Sequence, residues 1–241
     1  MATRPNGNVG VGGSFTLAGG VPCNRIAAWD GSTWTPLGSG LDNTVLALTV
    51  RANGEVFATG QFTTAGGAPA AHVARWDGTS WSALGAGVNS IGFAITDTPG
   101  GDLYVGGDLT TAGGAPANHI ARWDGTSWSA LGTGVTNRVY ALTSLADGGV
   151  LAGGFFTQAG GVAVVDLARW NGTSWSAVAN SVDNEVRAFA TLPDGQIAVG
   201  GMFTTAGGAP SAGLATLATT CPATAVGYGS GCTGAGGANV L

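Results

Sequence analysis

Four polar pairs recur every 47 residues (Asp42 to Asn89, for example) and are the main candidates for binding chemistry in this chain. They are Asp42-Asn43, Asn89-Ser90, Thr136-Asn137 and Asp183-Asn184. Side chains of these types donate and accept hydrogen bonds, so a ring of them suits a glycan or a cation. Asn and Asp also favour loops because they bond to the nearby backbone, which is the simpler explanation of the same pattern. The sequence predicts a polar ring at these eight positions, with a purely structural loop role as the alternative.

Catalytic and metal-binding sets are hard to assemble from the other polar residues. The two histidines, His72 and His119, occupy the same repeat position in adjacent copies, whereas a metal site needs three or four convergent ligands. Asp30, Asp77 and Asp124 each precede a glycine in a predicted tight turn, where an aspartate serves the turn backbone. We therefore predict no catalytic residue, no metal, no cofactor and no enzyme activity.

The charge of the chain is sparse and acidic. Eight basic residues, all of them arginine, face thirteen acidic ones, for a net charge of −5. Binding to nucleic-acid phosphates needs clustered cations, so this class of partner is excluded. Without lysine, Schiff-base chemistry on the chain is excluded too. The sequence has no apolar stretch of about 18 residues that would span a membrane. It also lacks an apolar signal-peptide core at its start and begins in mid-repeat, which indicates a segment of a longer protein.

The elements that position the polar pairs come in the same 47-residue repeat. A Gly-Gly-x-Phe-Thr phrase places an aromatic residue at Phe15, Phe62, Phe156 and Phe203, with Leu109 in the third copy. All eight tryptophans are repeat positions with a predicted structural role. The first of each pair is expected to lie between adjacent units, at Trp29, Trp76, Trp123 and Trp170. The second is expected to cover the outer strand, at Trp34, Trp81, Trp128 and Trp175. A period of this size indicates units that bury their apolar faces only by stacking on copies of themselves.

Each repeat is predicted to hold four antiparallel strands. In one copy they run over 139–142, 150–156, 167–170 and 174–178, with a loop over 157–163. The turns Asp147-Gly148 and Asn171-Gly172 are strong hairpin signals because type I′ turns need positive φ. Four such strands in about 45 residues are typical of one blade of a β-propeller. The predicted fold class is therefore all-β, a β-propeller of four-stranded blades.

The number of blades is harder to predict than the strands of one repeat. We predict a propeller over residues 1–219 and a glycine-rich tail over 220–241. The pattern begins at a second strand and ends at a third, two strands short of five blades. Residues 223–227 fall where the last outer strand belongs, and the first inner strand has no clear candidate beyond the glycine-rich end, 229–241. The tail is thus expected to supply a closing strand or to link to a further module. The pattern favours five blades, with four blades or a ring completed by a second chain as alternatives. Such incomplete end blades would also permit homo-oligomers.

The three cysteines add little to this prediction. Cys221 and Cys232 in the tail either close a small disulfide loop or remain free thiols. Cys23 stands where later copies have alanine or valine, so we interpret it as a small apolar residue.

The double glycine followed by a tryptophan pair resembles the kelch repeat of propeller proteins. It stands at Gly12-Gly13, Gly106-Gly107, Gly153-Gly154 and Gly200-Gly201, while the second copy has Thr59-Gly60. Tryptophan replaces the tyrosine that is usual in kelch blades, so the chain resembles a kelch-like relative. The phrase that begins Ala-Arg-Trp-Asp-Gly is similar to uncharacterised repeats of large exported bacterial proteins. This resemblance implies an extracellular or cell-surface location and, because propellers host unrelated functions, no particular activity.

We therefore predict a non-catalytic scaffold or protein-interaction module of a secreted protein. The alternative is a lectin-like propeller with repeated shallow sites, so that the partner is either a protein or a glycan. The second and third copies are nearly identical, which favours a function that uses several blades equivalently or none.

Overall fold

A computed structural model describes residues 1–179 and 181–217. The regular elements in this part of the chain are all β-strands, with no helix among them. In chain order the strands of the first two repeats are β1 (Ala2–Thr3), β2 (Val9–Gly12), β3 (Leu17–Ala18), β4 (Val21–Pro22), β5 (Ile26–Trp29), β6 (Trp34–Pro36), β7 (Val45–Val50), β8 (Val56–Gly60), β9 (Thr64–Ala65), β10 (Ala68–Pro69), β11 (Val73–Trp76) and β12 (Trp81–Ala83). Those of the next two are β13 (Gly92–Asp97), β14 (Leu103–Gly107), β15 (Thr111–Ala112), β16 (Ala115–Pro116), β17 (Ile120–Trp123), β18 (Trp128–Ala130), β19 (Val139–Ser144), β20 (Val150–Gly154), β21 (Gln158–Ala159), β22 (Val162–Ala163), β23 (Leu167–Trp170) and β24 (Trp175–Ala177). The last are β25 (Val186–Thr191), β26 (Ile197–Gly201), β27 (Thr205–Ala206), β28 (Ala209–Pro210) and β29 (Leu214–Leu217).

The long strands form five antiparallel sheets, one for each blade. The blades are β1-β2-β5-β6, β7-β8-β11-β12, β13-β14-β17-β18, β19-β20-β23-β24 and β25-β26-β29. The position of the fourth strand of the last blade, residues 223–227, lies outside the described residues, as do Cys221 and Cys232. The prediction of an all-β, five-bladed propeller with four-stranded blades is confirmed.

The first blade has an inner strand that the sequence analysis did not find. Ala2 pairs with Gly10 and Thr3 pairs with Val9 in antiparallel register. These two residues stand 47 positions before Thr49 and Val50, which end the inner strand of the second blade. Subtracting one repeat length would have located the strand, but two residues are too few to show an alternating pattern.

The predicted loop over residues 157–163 contains a small hairpin of its own. Strands β21 and β22 pair across Gly160 and Gly161, whose φ angles are +58° and +82°. Such left-handed pairs match a type I′ turn, which glycine adopts without steric cost. The same two-stranded hairpin recurs in every blade as β3-β4, β9-β10, β15-β16 and β27-β28.

Each full-length inner strand carries a β-bulge near its start. The register of β7, β13, β19 and β25 shifts by one residue, between Val45 and Ala47 and at the equivalent places. The extra residues are Leu46, Phe93, Tyr140 and Arg187. A bulge leaves its extra residue unpaired and redirects its side chain, so these four positions escape the alternation of the strand.

The apolar core is divided among the junctions between adjacent blades. At the first junction Ile26 and Leu37 of one blade pack with Phe62, Trp76 and Trp81 of the next. The two tryptophans of each blade lie against each other, with ring centroids 5.1–5.5 Å apart. Buried aromatic side chains contribute most to such contacts because each removes about 150–250 Å² from water.

The second tryptophan of a blade also bonds to the blade before it. The indole N–H groups of Trp81, Trp128 and Trp175 donate to the carbonyls of Leu37, Leu84 and Leu131, at 2.8, 2.7 and 2.8 Å. This bond satisfies a polar group that burial would otherwise leave unpaired. It also fixes the distance between neighbouring blades.

Candidate functional site

The first members of the predicted polar pairs anchor the blade-to-blade loops, which we define as the loops from an outer strand to the next inner strand. Asp42 Oδ1 accepts hydrogen bonds from the backbone N–H groups of Thr63 and Thr64, at 2.9 and 3.0 Å. Its Oδ2 accepts from the Thr63 hydroxyl at 2.9 Å. Asp183 makes the same three bonds to Thr204 and Thr205. Each loop is thus tied to the hairpin of the following blade.

Asn89 and Thr136 accept the equivalent hydrogen bonds through an amide oxygen and a hydroxyl oxygen. Asn89 Oδ1 accepts from the N–H groups of Thr110 and Thr111, both at 2.9 Å. Thr136 Oγ1 accepts from the next hairpin at 3.1 and 3.2 Å. One acceptor oxygen is therefore sufficient at this position, which explains why Asp, Asn and Thr all occur there.

The two carboxylates in these anchors are held in their charged form. Burial alone would raise the pKa of Asp42, but the hydrogen bonds from Thr64 and Thr63 lower it. The backbone N–H of Thr205, followed by the Thr204 hydroxyl, lowers the pKa of Asp183 to about 2. Donors that bond to a carboxylate stabilise its charged form.

The second members of the pairs retain side-chain groups that are free to form hydrogen bonds. Asn43, Asn137 and Asn184 each accept, through Oδ1, the backbone N–H of the following residue at 2.8, 2.9 and 2.8 Å. Within the described part of the chain, the Nδ2 groups of these asparagines have no protein acceptor. Ser90 holds the fourth position of this set. Side-chain donors therefore remain on the loops that precede the inner strands.

Close backbone approach fixes the start of each inner strand. A Cβ on Gly154 would lie 2.0 Å from the carbonyl oxygen of Arg138, and one on Gly201 would lie 2.1 Å from that of Glu185. Only glycine permits this contact. The second glycine of the repeated pair thus sets where the blade-to-blade loop meets the inner strand.

The bulged residues Leu46, Phe93, Tyr140 and Arg187 form what we call the mouth row, at the end of the channel next to the blade-to-blade loops. The rings of Phe93 and Tyr140 lie 5.6 Å apart at an angle of 46°. The Arg187 guanidinium stacks on the other side, with Cζ 4.1 Å from the Tyr140 centroid. Leu46 is 42% exposed, so the row ends in an accessible apolar side chain. Three consecutive blades therefore present one continuous ledge of side chains.

The sequence analysis missed the mouth row, although its spacing was visible. The four residues stand three or four positions after each polar pair and differ in every copy, while their neighbours repeat. In an ordinary strand their side chains would follow the strict alternation between two faces. The bulge that redirects them cannot be read from the pattern.

Charge around the mouth row is balanced. Arg138 Nε donates to Asp108 Oδ1 at 2.7 Å, and Arg187 forms an ion pair with Glu185. A hydrogen bond with Tyr140, and then the one with Asp108, raises the pKa of Arg138. Two exposed apolar side chains, Phe155 at 48% and Met202 at 61%, follow the second strands of the fourth and fifth blades.

The two histidines lie before their third strands in a left-handed backbone conformation. Their φ angles are +62° at His72 and +64° at His119, and each Nδ1 lies 3.1 or 3.2 Å from the carbonyl oxygen of Gly60 or Gly107. Among the described residues, no group of three or more His, Cys, Asp and Glu side chains converges on one point.

The fourth copy has Asp166 at the histidine position. Its carboxylate is buried and accepts the N–H of Phe156 at 2.6 Å. Burial, together with the nearby charge of Glu185, raises the pKa of Asp166. Cys23 is also buried as a free thiol, and burial raises its pKa. It is therefore a poor nucleophile.

Five sheets that pack side by side, with their inner strands around one axis, define a β-propeller. The family described as Rax2 C-terminal beta propeller domain matches residues 1–145, more than half of the chain, and the chain belongs to this family. No curated protein matches the sequence. The described part of the chain contains no helix that is long and apolar enough to cross a membrane.

Several solved structures share the fold at low sequence identity. The extracellular domain of a proposed one component system from B. thetaiotaomicron has a TM-score of 0.56 and 10% identity over 90% of this chain, which spans 26% of that protein. Virginiamycin B lyase from Staphylococcus aureus has a TM-score of 0.46 and 15% identity, with 80% of this chain and 66% of the lyase covered. An ancestral GH74 enzyme has a TM-score of 0.48 and 14% identity, with 75% and 25% covered.

The prediction that the protein is not an enzyme, which was drawn from the lack of a convergent catalytic set, is wrong. Propellers of similar shape include a lyase and a GH74 enzyme. These structures are too distant to assign their activities to this chain. The propeller fold by itself neither shows nor excludes catalysis.

Proposed function

We propose that this chain is a binding module of an exported protein, a kelch-like propeller that holds a protein partner at its channel mouth. One observation carries the proposal. The mouth row changes from Leu46 to Phe93, Tyr140 and Arg187 around the channel, whereas each of the first four blades has tryptophan at both junction positions. Partly exposed residues that differ in each blade suit the recognition of an asymmetric partner.

The chemistry of the mouth row supports a protein partner. Aromatic residues and arginine are enriched at the centres of protein interfaces, where they contribute most of the binding energy. Phe155 and Met202 add exposed apolar surface, and exposed apolar patches mark interaction sites. The ion pairs of Arg138 and Arg187 leave little net charge at the row, so apolar and stacking contacts would dominate.

The anchored loops support the proposal from the energetic side. Asp42, Asn89, Thr136 and Asp183 tie the loops to the next hairpins before any ligand arrives. Binding to ordered loops costs less conformational entropy than binding to loops that must be ordered first. On this proposal the first residue of each polar pair holds the loop, and the second residue faces the ligand.

The extracellular location is part of the proposal. It is supported by the resemblance to repeats of exported bacterial proteins and by the extracellular domain among the structures of similar fold. The boundary between residues 1–219 and 220–241, and association through the end blades, also remain predictions. The mass of the protein in solution tests the second of these.

A peptide-display selection tests binding at the mouth row. Peptides from a random library are selected on the wild-type protein and then measured against a variant with Phe93→Ala and Tyr140→Ala. We expect their affinity to fall at least about tenfold, because stacked aromatic anchors are lost. Ser129→Ala, on the exposed outer strand β18, is the matched control and should bind normally. Peptides that bind all three proteins equally would place the binding surface elsewhere.

A glycan is the second candidate ligand, favoured by the free Nδ2 donors beside the aromatic row. Asn137→Asp keeps the Oδ1 acceptor for Arg138 but replaces the donor with an oxygen. If the ligand is a glycan, an array should give hits on the wild-type protein that this variant loses. A uniformly negative array would remove this candidate and leave the protein partner in place.

A further inference from the structure

A groove of about 400 Å³ separates the second and third blades at the end opposite to the mouth row. Its apolar walls are Phe57, Leu84 and Trp123, and its charged groups include Arg51, Glu55 and Arg75. Volumes of roughly 300–1,000 Å³ with apolar walls and a few polar groups are typical of small-molecule sites. No residue of the mouth row contributes to this groove, and Leu84, the first residue after β12, is the one loop residue among these walls.

The side chain at the position of Phe57 is larger at the next junction, where the equivalent tryptophan is more buried. Tyr104 stands at the position of Phe57 one repeat later, is only 2% exposed and packs in one cluster with Trp170. Trp170 is 6% exposed, whereas its counterpart Trp123 is half-buried. Part of the Trp123 indole is therefore accessible from the groove.

The groove also carries one more positive charge than the two junctions that follow it. Arg75 Nε donates to Glu55 Oε1 at 2.8 Å, and Arg51 Nη1 lies 3.6 Å from Oε2 of the same carboxylate. Two arginines thus share one glutamate. One repeat later Thr98 replaces Arg51, and two repeats later Leu145 does so. The ion pairs Arg122–Asp102 and Arg169–Asp147 at those junctions are balanced.

Arg51 is fixed in place but not fully bonded. Its guanidinium stacks on Phe57, with Cζ 4.4 Å from the ring centroid, and Nη2 donates to the carbonyl of Gly101 on the next blade. Its Nε is buried and has no acceptor among the residues that the structure describes. The Arg51 side chain is 22% exposed while its Nε is not, so a ligand in the groove has to bond to the Nη groups.

We propose that this groove binds a small aromatic carboxylate. The carboxylate accepts hydrogen bonds from Arg51, which supplies the surplus positive charge, and the ring packs against the accessible part of the Trp123 indole. Arginine binds carboxylates well because its planar donors match their geometry. An aromatic ring suits the indole because stacked or edge-on pairs of rings attract each other.

A titration with benzoate, followed by NMR of the indole N–H groups, tests the proposal. The Trp123 signal is assigned from its loss in Trp123→Phe. We expect benzoate to shift this signal in a saturable way, while neutral benzyl alcohol does not. Arg51→Thr introduces the residue of the next repeat and should weaken benzoate binding about tenfold or more, because a charged hydrogen bond is lost. Phe57→Tyr introduces the side chain of the next junction and should weaken binding similarly.

Arg122→Thr at the neighbouring junction is the matched control and should leave the benzoate affinity unchanged. Unfolding midpoints of all variants show that each is folded. The proposal is overturned if the Trp123 signal does not shift up to ~10 mM benzoate, which would reveal even a millimolar site. It is equally overturned if Arg51→Thr binds benzoate as well as the wild-type protein does.

Discussion

The junction tryptophans and the mouth row have the same 47-residue spacing but opposite patterns of variation. Every full repeat has tryptophan at both junction positions, whereas the mouth row has leucine, phenylalanine, tyrosine and arginine. The junction geometry repeats from blade to blade, so the same side chain fits each time. Leu46 and Arg187 are exposed and Phe93 and Tyr140 are half-buried, so packing constrains the mouth row less than the junctions. Residue types therefore repeat from blade to blade where the blades pack together. Where they vary, as in the mouth row, we expect a ligand to be recognised.

The largest expected effect comes from the junctions. Trp81→Ala removes a buried indole and its bond to the Leu37 carbonyl, and should lower the free energy of unfolding by about 3–5 kcal/mol. Denaturant unfolding measures this change. Trp123→Ala should cost less because Trp123 is half-buried beside the groove. Equal midpoints for the Trp81 variant and the wild-type protein would show that the junctions do not dominate stability.

The second largest loss of stability is expected from a change in the backbone behind the mouth row. In Gly154→Ala the new methyl group meets the Arg138 carbonyl, which cannot move without displacing the inner strand. We expect a loss of about 3 kcal/mol in unfolding free energy. Gly161→Ala is the matched control, because nothing lies within 4 Å of its added Cβ and only its positive φ costs about 1–2 kcal/mol. Similar losses in both variants would argue against the close approach.

The mouth row itself should affect stability little. Tyr140→Ala removes a half-buried ring and its contacts with Phe93 and Arg187, at a cost of about 1 kcal/mol. The same variant should lose most of the affinity for peptides selected on the wild-type protein. A loss of stability as large as that of Trp81→Ala would make the row a packing element and remove the contrast with the junctions.

The smallest expected effect is a gain in stability when Asp166 is replaced. Its pKa is raised in the folded protein, so it favours the folded state at low pH and loses that contribution as the pH rises through the folded pKa. Asp166→Asn keeps the acceptor for the Phe156 N–H without the charge. We expect a slightly higher unfolding midpoint than the wild-type protein at pH 7 and no difference in acid. Lower stability at pH 7 would contradict the effect of burial.

The repeating parts of the fold were predictable from single residues. The tryptophan pairs, the double glycines and turns such as Asn171-Gly172 gave the blades, and strand β23 matches its predicted bounds of 167–170. The inner strand Ala2–Thr3 was missed because two residues show no pattern. The hairpin β21-β22 was predicted as a loop for the same reason.

The candidate sites were less predictable than the blades. The eight polar positions were identified as loop residues, but the anchoring bonds of Asp42 and its equivalents depend on the next blade. The mouth row depends on a bulge, and the groove depends on how the second and third blades pack against each other. Such features arise from tertiary contacts between repeats, which single-residue patterns do not contain.

The anchored blade-to-blade loops also bear on how long the protein would survive among proteases. Trypsin-like enzymes cleave after lysine or arginine in a segment that can extend into their active site. Because the chain has no lysine, its eight arginines are the only residues after which they can cleave. Arg138 and Arg187 directly follow loops that are fastened to a neighbouring hairpin. Cleavage there must await local unfolding, so the intact propeller should resist digestion at these two positions.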